Sequence, residues 1–234
     1  MIRVVGLTVA FGGIRPLDDL DADLTAVRAG IIGPNGAGKT TLLDVISGFV
    51  RPVAGRIFLD DTRLEGLSPV RRAAIGLRRT FQQEQVVGKL TVWENVQATA
   101  DHISTPGCAK REIRRAIDFV GLCESENMLG GLLNLFERRM VEIAKTLIGR
   151  PRVILLDEPA AGLDEAETER LRHLLVKVPL VFGAQVILID HDTDLIAALC
   201  TETMVLDFGR RLALGPTRAV LDDPAVRRAY LGGF

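Results

Sequence analysis

The sequence predicts an α/β protein with a largely parallel β-sheet. Short apolar, β-branched runs alternate along the 234 residues with segments of helical period, and this alternation is typical of the class. The runs at residues 29–32, 153–156 and 186–189 have no internal polar side chain, as expected of strands that are covered on both faces. We predict two further strands at residues 56–59 and 204–206.

Residues 91–147 differ from the rest because their apolar side chains recur every three or four residues, which predicts helices. These positions are Val92, Val96, Thr99, Ile113, Ile117, Val120, Met140, Ile143, Ala144 and Leu147. Turn signals at residues 104–107 and at Gly130 and Gly131 divide the segment. We therefore expect one domain over residues 1–234, with a helical subdomain at about 91–147. Near the C-terminus, residues 208–215 predict a β-hairpin followed by small helices.

Charge and cysteine content argue against several classes of protein. The 29 Lys and Arg residues nearly balance the 30 Asp and Glu residues, which argues against nucleic-acid binding through a broadly basic surface. The three cysteines form no close pair and have no nearby histidine, so neither a disulfide framework nor a zinc site is indicated, and a reducing cytoplasm fits best. We find no secretory-signal pattern. The longest apolar stretch, residues 178–189, contains a proline and is shorter than the ~20 residues of a membrane span.

A glycine-rich loop follows the first predicted core strand and leads into a helical pattern. It matches the phosphate-binding motif G-x-x-x-x-G-K-[ST] and consists of Gly33, Pro34, Asn35, Gly36, Ala37, Gly38, Lys39, Thr40 and Thr41. Its glycines let backbone N–H groups surround phosphate oxygens, Lys39 neutralises phosphate charge, and the Thr40 hydroxyl can ligate Mg²⁺. The alternative is a glycine-rich turn with a solvated lysine, which the flanking strand and helix disfavour.

Acidic side chains and a histidine follow two other predicted core strands. Asp157 and Glu158 end the run at 153–156, and His191 follows the run at 186–189. Ligands of such sheets bind beyond the carboxyl ends of the strands, where Asp157 can hold Mg²⁺ and Glu158 can accept a proton from water. Taken alone, the two acids would more often be a polar strand end or a helix cap, and the histidine would more often be structural. The upstream phosphate loop favours the catalytic interpretation.

With these motifs in order, the sequence resembles the nucleotide-binding subunits of ABC transporters over nearly its whole length. In this resemblance Phe11 is the adenine-stacking aromatic, residues 33–41 are the Walker A loop, Gln82 is the Q-loop residue, and Asp157 with Glu158 is Walker B. Residues 161–164 correspond to the D-loop and His191 to the switch histidine.

The resemblance implies a P-loop NTPase (RecA-like) core with an N-terminal antiparallel β portion and an inserted α-helical subdomain. It implies ATP and Mg²⁺ as cofactors, with the metal held by Thr40, Gln82 and Asp157. In ATP hydrolysis Glu158 would be the general base, while Gln82 and His191 would position the water and the γ-phosphate.

Several segments resemble the subgroup that imports branched-chain amino acids, urea or short amides. They are residues 11–13, 79–82, 90–96, 157–163 and 223–232. For such a protein we expect separate transmembrane permease subunits, docked where residues 82–90 meet the helical subdomain, and a second ATPase subunit, identical or different. The chain would then lie peripherally on the cytoplasmic face of the membrane, without binding nucleic acid.

Two departures from the family pattern concern residues 133–137 and the segment before the phosphate loop. The family's Leu-Ser-Gly-Gly-Gln signature is replaced by Leu133, Asn134, Leu135, Phe136 and Glu137, in which Asn134 and Glu137 fit a helix capping box. A turn usual in the family is missing between Leu20 and Gly30, so we expect a shortened hairpin there. Two alternatives to an importer subunit remain: a soluble ABC-type ATPase, and a regulatory ATP-binding module that no longer hydrolyses.

Overall fold

The structure is a computed structural model that describes residues 1–103 and 107–231. Its strands are β1 Ile2–Phe11, β2 Ile14–Leu24, β3 Arg28–Ile32, β4 Ala54–Leu59, β5 Thr62–Arg63, β6 Leu77–Arg79, β7 Val153–Asp157, β8 Gln185–Ile189, β9 Glu202–Asp207 and β10 Arg210–Pro216. Its α-helices are α1 Lys39–Ser47, α2 Pro69–Ala74, α3 Val92–Ile103, α4 Ala109–Phe119, α5 Leu135–Thr146, α6 Glu165–Phe182, α7 Thr193–Leu199, α8 Thr217–Asp222 and α9 Pro224–Val226. A 3₁₀ turn spans Gly130–Leu132, and a π turn spans Arg227–Leu231.

The main sheet has six strands in the order β10-β9-β3-β8-β7-β6. All neighbours in it pair in parallel except β9 and β10. These two strands form a hairpin, but the segment predicted as the hairpin, residues 208–215, contains only its turn and most of its second strand. Strands β7 and β8 are buried along their whole length, so the prediction of a parallel sheet covered on both faces is confirmed. Strands β3, β6, β7 and β8 end at the same edge of this sheet, and the loops that follow them share that edge.

A second, antiparallel sheet has the order β2-β1-β4-β5. The strand predicted at 56–59 belongs to this smaller sheet and pairs with β1. The expectation of a shortened hairpin before the phosphate loop is wrong, because β2 and β3 lie in different sheets. The three residues between them are held by the Glu202 carboxylate, which accepts hydrogen bonds from Thr25 N at 2.9 Å and Ala26 N at 3.3 Å.

Three helices, α3, α4 and α5, occupy the segment in which the spacing predicts helices. Their apolar faces are buried and belong to the same hydrophobic core as the face of the main sheet that α6 covers. Gly130 and Gly131, predicted as a turn, form the 3₁₀ turn. Residues 104–106 of the other predicted turn, and Gly232 of the C-terminal motif, lie outside the described residues. The division of residues 1–234 into one domain with a helical subdomain at about 91–147 stays a prediction.

Small helices follow the β9–β10 hairpin, as the sequence predicts. Within residues 1–103 and 107–231, none of the helices combines the length and apolar character that a membrane span requires.

Candidate functional site

The phosphate-binding motif forms a tight loop between β3 and α1. Gly33 has φ +151° and Gly38 has φ +102°, and a Cβ at either position would lie 2.1 or 2.2 Å from the carbonyl oxygen of Leu206 or Pro16. Only glycine fits at both places. No side chain caps the start of α1, where Gly38 is the N-cap residue, so the first N–H groups of the helix are free to bind an anion.

Lys39 lies over this loop with its ammonium buried. Its Nζ donates to the carbonyl oxygens of Gly33 at 2.6 Å and Pro34 at 3.0 Å. Burial lowers the pKa of Lys39, while the carboxylates of Glu158 and Asp157 act in the opposite direction. The charges of these two acids therefore reach Lys39, and the end of β7 lies near the phosphate loop.

Asp157 ends β7 as a buried carboxylate with one oxygen engaged. Its Oδ2 accepts a hydrogen bond from Arg79 Nη2 at 3.1 Å, whereas Oδ1 is buried without a hydrogen-bond partner. Burial raises the pKa of Asp157, and the neighbouring Arg79 opposes that rise.

An unpaired carboxylate oxygen beside a phosphate loop fits Mg²⁺, which commonly binds one or two carboxylates together with substrate phosphates and water. Thr40, an exposed residue at the start of α1, and Gln82 are the other two protein donors that the sequence predicts. Residues 1–103 and 107–231 contain no cluster of three or more His, Cys, Asp or Glu side chains able to hold a metal ion. The donor set thus fits a metal that is held jointly with a nucleotide.

Glu158 is contacted by both of the other side chains that the sequence predicts as catalytic. Its Oε1 lies 2.6 Å from His191 Nε2, and its Oε2 accepts a hydrogen bond from Gln82 Nε2 at 3.4 Å. The three side chains come from the loops after β7, β8 and β6. Glu158 has a left-handed backbone, with φ +49°, and its N–H donates to Ile189 O at 2.8 Å, which fixes the start of its loop against β8.

Phe11 lies at the end of β1 with 54% of its surface exposed. It pairs with Ile14 across the β1–β2 turn, and the carbonyl of Pro16 a little further along β2 packs against Gly38 of the phosphate loop. An exposed aromatic ring on a hairpin that borders the phosphate loop is suited to stack on a purine base.

Two residues without an assigned role in the sequence analysis hold the site together. Arg79 binds Asp157, and it also donates from Nη1 to Asp44 Oδ1 of α1 at 2.6 Å. Asp190, buried before His191, accepts hydrogen bonds from the backbone N–H groups of Asp192, at 3.0 Å, and of Ala160. Both are charged residues at the ends of core strands, where burial requires a partner. The partners of Arg79, and Ala160 as a partner of Asp190, are distant in sequence, so the sequence alone does not identify these contacts.

The altered signature begins α5 with the predicted capping box. Asn134 Oδ1 accepts from Glu137 N at 2.8 Å, and Glu137 Oε2 accepts from Asn134 N at 2.9 Å. Leu135 is partly exposed and lies against Gly162 of the predicted D-loop. Phe136, in contrast, is buried, and the Arg170 guanidinium lies 4.4 Å from its ring centroid. The segment therefore presents Leu135, and not Phe136, at the surface.

A cavity of about 460 Å³ opens between α2, β6, α3 and α5, and Gln85 is the residue of segment 82–90 that lines it. Its walls are largely apolar and include Phe49, Val70, Ala73, Leu77, Phe81, Ala98 and Ile103. Phe49 and Val70 are exposed. Arg79 and Phe81 also line this cavity, so it lies directly behind the site.

Comparison with known proteins matches residues 18–161 to a family model described as "ABC transporter". The chain is 34% identical to the high-affinity branched-chain amino acid transport ATP-binding protein BraF of Pseudomonas aeruginosa, over 99% of this chain and 98% of that protein. It is 33% identical to LivG of Escherichia coli K12, which has the same description, over the same shares of the two chains. Among solved structures, the ATP-binding cassette MJ1267 of an ABC transporter is similar, with a TM-score of 0.89, 25% identity and 98% of each chain covered.

Proposed function

The chain belongs to the ABC transporter family, and on that premise we propose that it hydrolyses ATP to power an importer of branched-chain amino acids or of related small amides or urea. One observation carries the catalytic part of this proposal: the Glu158 carboxylate, beside the phosphate loop, is contacted by both His191 and Gln82. The assignment to branched-chain amino acids is supported by the similarity to BraF and LivG, whereas urea and small amides rest on the sequence motifs alone.

In the proposed reaction, water attacks the γ-phosphorus of ATP in line with the bond to the β–γ bridging oxygen, which breaks. Glu158 accepts the proton of the attacking water, while Gln82 and His191 hold the water and the γ-phosphate in position. Lys39 exchanges its two loop carbonyls for β- and γ-phosphate oxygens. Mg²⁺, when bound by Asp157, Thr40 and Gln82, neutralises the charge that develops on the phosphates.

Two kinds of protein partner complete the proposal. A permease subunit docks in the cavity between α2, α3 and α5, next to Gln85, because the apolar walls of this cavity and the exposed Phe49 and Val70 fit an apolar segment of another chain. A second ATPase subunit, identical or different, faces the phosphate loop and completes the catalytic site. Docked in this way, the chain lies peripherally on the cytoplasmic face of the membrane.

A regulatory ATP-binding module is the second candidate function, and residues 133–137 favour it. The capping box engages the side chains of Asn134 and Glu137 with each other's backbone N–H groups. Glu137 adds a negative charge where the family signature has none, and this charge opposes a phosphate on a partner. Glu158 argues against the module, because a protein that no longer hydrolyses ATP has no need of the proton acceptor.

The experiment that tests the proposal isolates the chain from membranes through an affinity tag, together with the proteins bound to it. The complex is placed in lipid vesicles, and ATP hydrolysis is measured together with uptake of radiolabelled leucine, with urea and acetamide as competing solutes. We expect ATP-dependent uptake that is lost with Lys39→Ala. Hydrolysis without any membrane subunit would indicate a soluble ATPase, and ATP binding without hydrolysis would indicate the regulatory module.

A further inference from the structure

Arg79, the last residue of β6, connects two carboxylates that belong to different parts of the site. Its Nη1 donates to Asp44 Oδ1 of α1 at 2.6 Å, and its Nη2 donates to Asp157 Oδ2 of β7 at 3.1 Å. The Arg79 side chain is 6% exposed and that of Asp157 is 1% exposed. A single buried guanidinium thus links the helix that follows the phosphate loop to the strand that ends in Walker B.

The link determines how the Asp157 carboxylate is oriented. With Oδ2 held by Arg79, the carboxylate cannot rotate freely, and Oδ1 is left buried and unpartnered. The planar guanidinium has donors in a fixed geometry that can bind two carboxylates at once, which an ammonium group on a flexible stem does not reproduce.

We propose that Arg79 is a positioning residue for the Mg²⁺–nucleotide complex. It holds Asp157 so that Oδ1 faces the metal position, and it fixes the position of that oxygen relative to α1. The inference rests on the proposed function, since it requires that the site binds ATP with Mg²⁺. In this role Arg79 acts on the metal only through Asp157. Groups that orient a metal ligand in this way affect metal affinity through that ligand.

The neighbouring arginine provides a matched control. Arg78 lies on the same short strand, is also buried and lines the same cavity as Arg79. Its guanidinium, however, donates to backbone carbonyl oxygens, among them those of Ala73 and of Ile148, the latter at 3.1 Å. If the loss of any buried arginine from β6 were the cause of a change, replacement of either residue should produce it. If the cause is a changed orientation of Asp157, only replacement of Arg79 should produce it.

The test measures binding of a fluorescent ATP analogue to the whole chain, with Mg²⁺ titrated and, separately, with EDTA present. We expect Arg79→Lys to weaken the Mg²⁺-dependent binding about 10- to 100-fold, the usual effect of removing such a partner. Binding in EDTA should stay as in the wild type, and Arg78→Lys should alter neither measurement. Asp44→Asn, which removes the second anchor of the guanidinium, should weaken the Mg²⁺-dependent binding selectively and to a smaller extent.

Unchanged Mg²⁺ dependence in a folded Arg79→Lys protein would overturn the inference, as would an equal loss of binding with and without Mg²⁺. Where Arg79→Lys does not fold, as judged by thermal unfolding, the result for Asp44→Asn decides in the same way. Failure of the wild-type chain to bind the analogue under any condition would instead contradict the proposed function. The two failures are therefore distinguishable.

Discussion

Replacement of Glu158 by glutamine should separate ATP binding from ATP hydrolysis. The glutamine amide has nearly the same size as the carboxylate, and it can still form hydrogen bonds with His191 and Gln82, which contact Glu158 at 2.6 and 3.4 Å. It cannot accept the proton of the attacking water. Lys39 and Asp157, which hold the phosphates and the metal in the proposed site, are unchanged.

The size of the effect follows from the role assigned to the carboxylate. A positioned general base contributes about 10²- to 10⁴-fold to a rate, which corresponds to roughly 3–5 kcal/mol of activation free energy at about 1.4 kcal/mol per factor of ten. Phosphate release at saturating MgATP should fall by that factor in the assembled complex. The dissociation constant for MgATP, measured in the same preparation, should stay close to that of the wild type.

Glu165→Gln provides the matched control, because it makes the same chemical change at an exposed position in the first turn of α6. We expect no effect of this control on either measurement. A Glu158→Gln complex that hydrolyses ATP at the wild-type rate would refute the assignment of the base. A loss of ATP binding as large as the loss of rate would show that Glu158 serves binding, and not proton transfer.

Three further changes test other parts of the site. Phe11→Ala should weaken ATP binding about five- to 150-fold, as expected for about 1–3 kcal/mol of lost base stacking, while affinity for inorganic triphosphate stays unchanged. The isolated chain should hydrolyse ATP slowly and gain activity on assembly, because a second ATPase subunit completes the proposed site, and a titration with that subunit measures this. In the family that the chain resembles, the signature of one subunit faces the ATP held by the other, so combined replacement of Asn134 by Ser, Leu135 by Gly and Glu137 by Gln should raise turnover at the partner's nucleotide site alone. Phe136 is left in place, since its ring is buried and its removal would cost about 3–5 kcal/mol of stability.

Each of these expectations has an outcome that contradicts it. Equal losses of affinity for ATP and for inorganic triphosphate would show that Phe11 stabilises the phosphate loop and does not stack on the adenine base. Full activity of the isolated chain, independent of protein concentration, would favour a P-loop enzyme of another class. A triple variant that leaves turnover unchanged at both nucleotide sites, or a complex of two identical chains with equal turnover at both, would contradict the expectation that residues 133–137 slow hydrolysis at the partner's site alone.

The core strands and the phosphate loop are readable from the sequence because each depends on local pattern. An unbroken apolar run such as residues 153–156 fits a strand buried on both faces, and the spacing of Gly33, Gly38 and Lys39 fixes the loop. The passage of the chain from β2 in one sheet to β3 in the other is not predicted from the sequence. It depends on the Glu202 carboxylate, which binds Thr25 from 177 residues further along the chain.

The burial of the Phe136 side chain is likewise not predicted from the sequence, although the capping box that starts its helix is. A capping box specifies where a helix begins, but it does not specify which face of the first turn meets the core. That face is set by contacts with α6, such as the one to Arg170. The contacts of Arg79 with Asp44 and Asp157, and of Asp190 with Ala160, are not predicted for a similar reason, because only the folded sheet brings these residues together.

The left-handed backbone of Glu158 has an evolutionary consequence. That conformation costs a residue with a side chain roughly 1–2 kcal/mol, while glycine adopts it freely and loses about 0.5–1 kcal/mol through its greater freedom in the unfolded chain. The difference, from zero to about 1.5 kcal/mol in favour of glycine, is what selection for thermal stability alone would act on at position 158, whereas selection for hydrolysis alone would retain the carboxylate. A library selected only for resistance to heat should accumulate Glu158→Gly, whereas one selected for transport should never contain it.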